Sequence, residues 1–154
     1  MPIRSDYKIT RTADIKVGVP TTGVGGALTV PTTLSAVYGV RSFTTSGNES
    51  VLEFPTYDNE GTDELVTNRR WSINCAAFEI AGSNPGLTII KTALKSVGSA
   101  AIVYFEFEDQ GDEGVKGFAT VKGEQVSREV DQAQEISWQF GVLGKLYALS
   151  ETIT

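Results

Sequence analysis

The 154-residue chain contains no histidine and only one cysteine. Without imidazole, the Ser/His/Asp and Cys/His nucleophilic arrangements and the usual histidine metal ligands are excluded. A lone cysteine cannot form a staple within the chain. Cys75 lies among apolar residues, where a thiol behaves as a small hydrophobe rather than as a nucleophile. No apolar run approaches the roughly 18 residues that a membrane span requires. The opening "MPIRSDYKIT" lacks the apolar centre of a secretory signal, so the expectation is a protein made in a cytoplasm and soluble there, with no membrane partner. Basic residues are outnumbered 13 to 19, giving a net charge of −6, so a broad cationic footprint for nucleic acid phosphates is missing. A single domain over 1–154 is expected, since a chain of this length buries roughly 68–70% of its unfolded surface without help from a metal or a disulfide.

What is present points to strands. Sixteen glycines and many Thr, Val and Ser residues stand in short alternating runs, which favours a mainly β protein. "TADIKVGV" (12–19) reads as a strand, and "PTTGVGGALTVPTT" (20–33) as a long mobile loop. The echo of "VPTT" at 19–22 and 30–33 is too short to be a repeat. "LSAVYGVRSF" (34–43) and "ESVLEFPTY" (49–57) follow as strands, with Pro55 near an edge or an end because it cannot donate to a ladder. "DNEGTDELVTN" (58–68) is an acidic connector, and a second mobile loop is expected over about 46–68. In "RRWSINCAAFEI" (69–80), Trp71, Ile73, Cys75 and Ala77 share a face before the phase flips to Phe78 and Ile80, which implies a bulge or a change of partner.

One helix is expected, from Pro85 to Val97, with Asn84 as cap, Pro85 at the first helical position and Gly98 past the end. Leu87, Ile90, Leu94 and Val97 make one apolar stripe, and Lys91 and Lys95 suit the negative end of the dipole. Three strands follow: "AIVYFEFE" (101–108), "VKGFATVKGEQV" (115–126) and "EISWQFGVLGKL" (135–146). In the last, Ile136, Trp138, Phe140 and Val142 alternate with Glu135, Ser137, Gln139 and Gly141. The expected core is Trp71, Ile73, Leu87, Ile90, Leu94, Ile136, Trp138 and Phe140.

The search for chemistry ends with no catalytic, cofactor-binding or metal-ligating set. The acids Asp58, Glu60, Asp63 and Glu64, and Asp109, Asp112 and Glu113, sit in turns, where solvated loop acids are the ordinary reading. A carboxylate pair for glycoside chemistry would have to be assembled from distant turns. Neither cluster has the spaced Asp/Asn pattern of a calcium loop. Gly18 and Gly23 have the separation of a phosphate-binding loop, but Val24 stands where its lysine belongs and Gly25 where its Ser/Thr belongs. The dinucleotide pattern fails at Leu28. Trp71, Trp138, Tyr104 and Phe105 form either a stacking platform for sugars or bases, or the packing of alternating strands.

The stretches "NRRWSINCAAFEIAGSNPGLTIIKTALKSVG" and "GVKGFATVKGEQVSREVDQAQEISWQFGVLGKL" resemble, over about residues 66–147, the tail tube (major tail) proteins of long-tailed bacteriophages. The resemblance implies an antiparallel β-sandwich or small barrel with one flanking helix. It also implies a structural virion protein, not an enzyme and without cofactors. Its copies would form rings, six to a ring, stacked into a hollow tube around a tape-measure protein and started by tail-tip proteins. DNA would be a transient, non-specific cargo. The location implied is the virion tail, assembled in the host bacterial cytoplasm. Edge strands then become joints between subunits. The implied ring-stacking loop lies within Ser46–Asn68, with Val51, Leu52, Phe54, Tyr57 and Leu65 as its apolar contacts. Six copies at −6 each give −36 per ring, suited to a conduit that must not hold phosphates. A head-tail connector, a tail terminator ring and a β-sandwich module that binds carbohydrate or protein stand as alternatives.

Overall fold

The computed structural model describes residues 14–55, 62–79, 82–108, 114–128, 130 and 133–153. The chain runs β1 (Asp14–Gly18), β2 (Thr21–Thr22), β3 (Leu28–Thr29), β4 (Ser35–Val37), β5 (Val40–Pro55), β6 (Thr62–Phe78), α1 (Pro85–Leu94), β7 (Ile102–Glu108), β8 (Gly114–Ser127), β9 (Glu135–Val142) and β10 (Tyr147–Ala148). It is a mainly antiparallel β fold with one flanking helix. The main sheet has the order β4-β1-β7-β8-β9-β6-β5, with β10 continuing the line of β9 along β8.

The sheet is curled but not closed into a barrel. Phe43 on β5 and Phe107 on β7 lie four strands apart, about 19 Å in a flat sheet. Their rings nevertheless stack with centroids 3.9 Å apart, so the sheet must bend back on itself. Phe105 and Phe140, two strands apart, stack at 5.1 Å for the same reason. The two edge strands are consecutive in sequence, with only Tyr38 and Gly39 between β4 and β5. Three Cα steps hold those edges within about 11 Å of each other at this point. A covalent link, not a ladder, therefore bridges the seam.

The concave face buries Ile15, Val17, Ile73, Phe105, Ile136 and Phe140 completely, with Trp138 and Cys75 nearly so. Leu87, Ile90 and Ala93 bring α1 onto this cluster, and Leu94 is partly buried against it. Gly86 makes the close approach possible: a Cβ there would stand 2.5 Å from the Ala36 carbonyl oxygen. Asn84 does not cap the helix with its side chain. It bonds the strand connection instead, its Oδ1 accepting from Tyr38 N and its Nδ2 donating to Tyr38 O, both at 3.0 Å.

Several expectations change. The helix ends at Leu94, because Lys95 N and Ser96 N bond the carbonyls of Thr92 and Ala93 in a tightened last turn. Val97 is then extended and 89% exposed, outside the apolar stripe. Residues 20–33 form a small hairpin, β2 with β3, around a 3-10 turn at Val24–Gly26, where Gly23 N donates to Ala27 O at 2.7 Å. Trp71 is only half-buried and stays outside the core cluster, lying over Gly47 on the neighbouring strand. β6 keeps its phase through Phe78, pairing β9 without a shift from Ser72↔Gly141 to Phe78↔Glu135, so Ala77 is buried and Phe78 is exposed on the other face. The bulge lies on the partner strand, where Val40 pairs Ala77 and Ser42 pairs Ala76, leaving Arg41 extra. Among the described residues four strands, not three, follow the helix. Ile80 lies outside the described residues.

Candidate assembly surface

Within the segment expected to be a mobile loop over 46–68, the described residues 46–55 and 62–68 belong to two long antiparallel strands. β5 and β6 pair continuously from Val40↔Ala77 to Pro55↔Thr62, with one further register shift between Ser50 and Val51 that leaves Thr67 extra. Thr67 Oγ1 donates to Ser50 O there at 3.1 Å. β9 pairs β6 only over Ser72–Phe78, so residues 62–71 extend past the sheet as a two-stranded ribbon about 30 Å long. Every second backbone N–H and C=O along the outer side of β5 faces away from the sheet, and so do those of β6 beyond Ser72. Long edges of this kind template pairing with further strands.

The ribbon's side chains sharpen the point. A two-stranded ribbon has no interior, yet Val51 stands opposite Val66 on one face and Leu52 opposite Leu65 on the other. They are exposed by 45%, 41%, 53% and 56% respectively. Covering the exposed half of each would contribute on the order of 1 kcal/mol, which a monomer cannot provide here. Phe54 lies on β5 opposite Asp63, and Tyr57 lies outside the described residues.

Of the aromatics expected as a platform, only Trp71 is partly exposed. Trp138, Tyr104 and Phe105 are all at least 98% buried, so they cannot offer a stacking platform. The Tyr104 hydroxyl donates to Glu106 Oε1 at 2.6 Å, and burial with that carboxylate pushes its pKa up. Burial also pushes the Cys75 thiol up, which keeps it protonated and unreactive. Among the described residues no group of three His, Cys, Asp or Glu side chains is placed to hold a metal. Asp58, Glu60, Asp109, Asp112 and Glu113 lie outside those residues. No helix among them is long and apolar enough to cross a membrane.

These features define a class: an open, curled antiparallel sheet with one helix on its concave face and a protruding ribbon. The same fold occurs in a chain of the virion of native gene transfer agent particle, at TM-score 0.64 and 12% identity, covering 94% of this chain and 100% of that one. It occurs also in the SPP1 tail tube, at TM-score 0.62 and 17% identity, over 88% of this chain and 76% of that one. A chain of the anti-feeding prophage baseplate, 6-fold symmetrised, matches at TM-score 0.59 and 9% identity, over 94% of this chain and 97% of that one. No protein-family model and no characterised protein sequence matches the chain.

Proposed function

We propose that this protein is a structural subunit of a phage-type tail tube, whose copies form rings, six to a ring, that stack around a hollow lumen. The observation that carries the reading is the ribbon: an unpaired edge with apolar pairs on both faces, set on a fold shared over 88% of this chain with a chain of the SPP1 tail tube. Such a surface is a liability for a lone subunit and a joint for an assembled one. Val51, Leu52 and Leu65 are the proposed stacking contacts, with Phe54 and Tyr57 beside them in sequence. Tape-measure and tail-tip proteins are the proposed partners, and DNA passes through without being bound. The proposed place is the virion tail, assembled in the host bacterial cytoplasm. The role is containment, with no bond-making chemistry.

Negative-stain microscopy of the purified chain, with tail-tip initiator and tape-measure protein added, should show hollow tubes of variable length. Persistent monomers under those conditions would count against the proposal. Single rings that never extend would point to a terminator or connector.

A further inference from the structure

The ribbon carries opposite charge at its two ends. At its root a groove of about 720 Å³ opens where β6 passes the end of β9, and its lining includes Arg69, Arg70 and Lys122 but no acid. Arg69 reaches Glu49, which lies outside the lining, at 3.5 Å between exposed side chains. Arg70 and Lys122 have no charged partner among the described residues. Gly141 makes room between them: the Lys122 Nζ lies 3.5 Å from where a Cβ on that residue would stand. Toward the other end of the described ribbon, two pairs before Pro55↔Thr62, Glu53 stands directly opposite Glu64, next to Val51 and Val66. Like charges facing across a ladder destabilise it. The two ends are about 20 Å apart along a stiff ribbon, well beyond a Debye length at physiological salt, so neither can neutralise the other in the same copy.

We infer that the Glu53–Glu64 tip of one copy seats in the Arg70/Lys122 groove of the next. The inference rests on the tube reading and names the receptor for its ribbon. The contact is heterologous, tip to root, and a contact of this type propagates instead of closing on a pair. It also relieves the repulsion between Glu53 and Glu64 and gives Arg70 and Lys122 an acidic partner. Nucleic acid is the less suitable occupant, because three cations on a chain of charge −6 form too small a phosphate footprint.

The test uses full-length chains in sedimentation velocity and microscopy. E53K/E64K loses the tip and R70E/K122E loses the groove. Each alone should self-associate on the order of 100-fold more weakly than wild type, with unchanged circular dichroism. Mixed together, the Glu tip of one meets the cationic groove of the other and the Lys tip meets the Glu groove, so the mixture should co-assemble in alternation at one-to-one stoichiometry. The quadruple variant, with both charges reversed, should assemble again. Undiminished assembly of either double variant overturns the inference while leaving the tube reading intact, and so does a mixture that stays monomeric. Wild type that remains monomeric even with initiator overturns both. If R70E/K122E assembles normally but loses retention of a duplex oligonucleotide, the groove serves phosphates and the inference fails.

Discussion

At the scale of single residues, Trp138 shows how the core sets its own tolerances. Its indole packs edge-on to Phe140, with centroids 6.2 Å apart, and it is 2% exposed. Its Nε1–H has no hydrogen-bond partner among the described residues, so this buried donor carries a desolvation cost of about 1–3 kcal/mol. Trp138→Ala should destabilise by about 3–5 kcal/mol, since the curled sheet cannot collapse around the lost ring. Trp138→Phe should cost clearly less, because it leaves a smaller void and removes the unpaired donor. Urea denaturation of both variants checks the order. A Phe variant as unstable as the Ala variant would mean that the indole N–H finds an acceptor and that the ring's polar edge matters more than its volume.

At the scale of elements, the helix and the terminal strands were legible because each has a buried face. The 3.6-residue spacing of Leu87 and Ile90 after Asn84–Pro85, and the two-residue alternation of Ile136, Trp138 and Phe140, both reflect packing on one core. Of the ribbon, the strand at 49–57 ending near Pro55 was legible, but its partner over residues 62–68 was not, since neither face is buried there and the residues carry no alternation. Gly47, Asn48 and Asn68 look like loop residues, and the pairs Val51–Val66 and Leu52–Leu65 exist only once the register is known. The small turn at Gly123 was hidden for a similar reason. Its φ of +71° permits the bulge through which Lys122 pairs Gln139 and Gln125 pairs Ser137.

The element after β9 offers a pH test. Lys145 Nζ donates to Glu151 Oε2 at 2.8 Å, and Ala148 N donates to Glu151 Oε1 at 3.1 Å, clasping the turn beyond β10. The hydrogen bond from Lys145 is the main cause that lowers the Glu151 pKa, and the same bond raises that of Lys145. A lowered carboxylate pKa means stabilisation present above the unfolded value and lost as pH falls through the folded one. The raised Lys145 value means stabilisation present below its unfolded pKa and lost only as pH rises through the folded one. The clasp therefore holds between these limits and opens in acid below the usual carboxylate range. The Ala148 amide protection factor should fall there, and Glu151→Gln should lower it already at neutral pH. A protection factor indifferent to both changes would show that β10 alone holds the segment.

At the scale of the whole molecule, the fold separates two tasks. The curled sheet and α1 form a core that is complete in one chain, with its seam bridged by Tyr38–Gly39 and tied to the helix by Asn84. The ribbon shares almost none of that core and leaves its apolar pairs exposed. Damage to the ribbon should therefore spare the fold and stop assembly. In Leu52→Asp with Leu65→Asp, both changed side chains point away from the face that continues the core, so urea stability should stay close to that of wild type. Each leucine is already about half covered, so each substitution removes on the order of 1 kcal/mol of contact from the proposed interface, and the two together about a tenfold or greater loss of association. Each also places an unpaired charge where desolvation would be required. The expected result is a folded chain, monomeric by sedimentation, that forms no tubes with initiator present. Normal tubes from this variant would mean that the two leucines stay in water in the assembly. The subunits would then be joined through the ribbon's other unsatisfied surfaces, the Val51–Val66 pair and the open backbone edges of β5 and of β6 before Ser72.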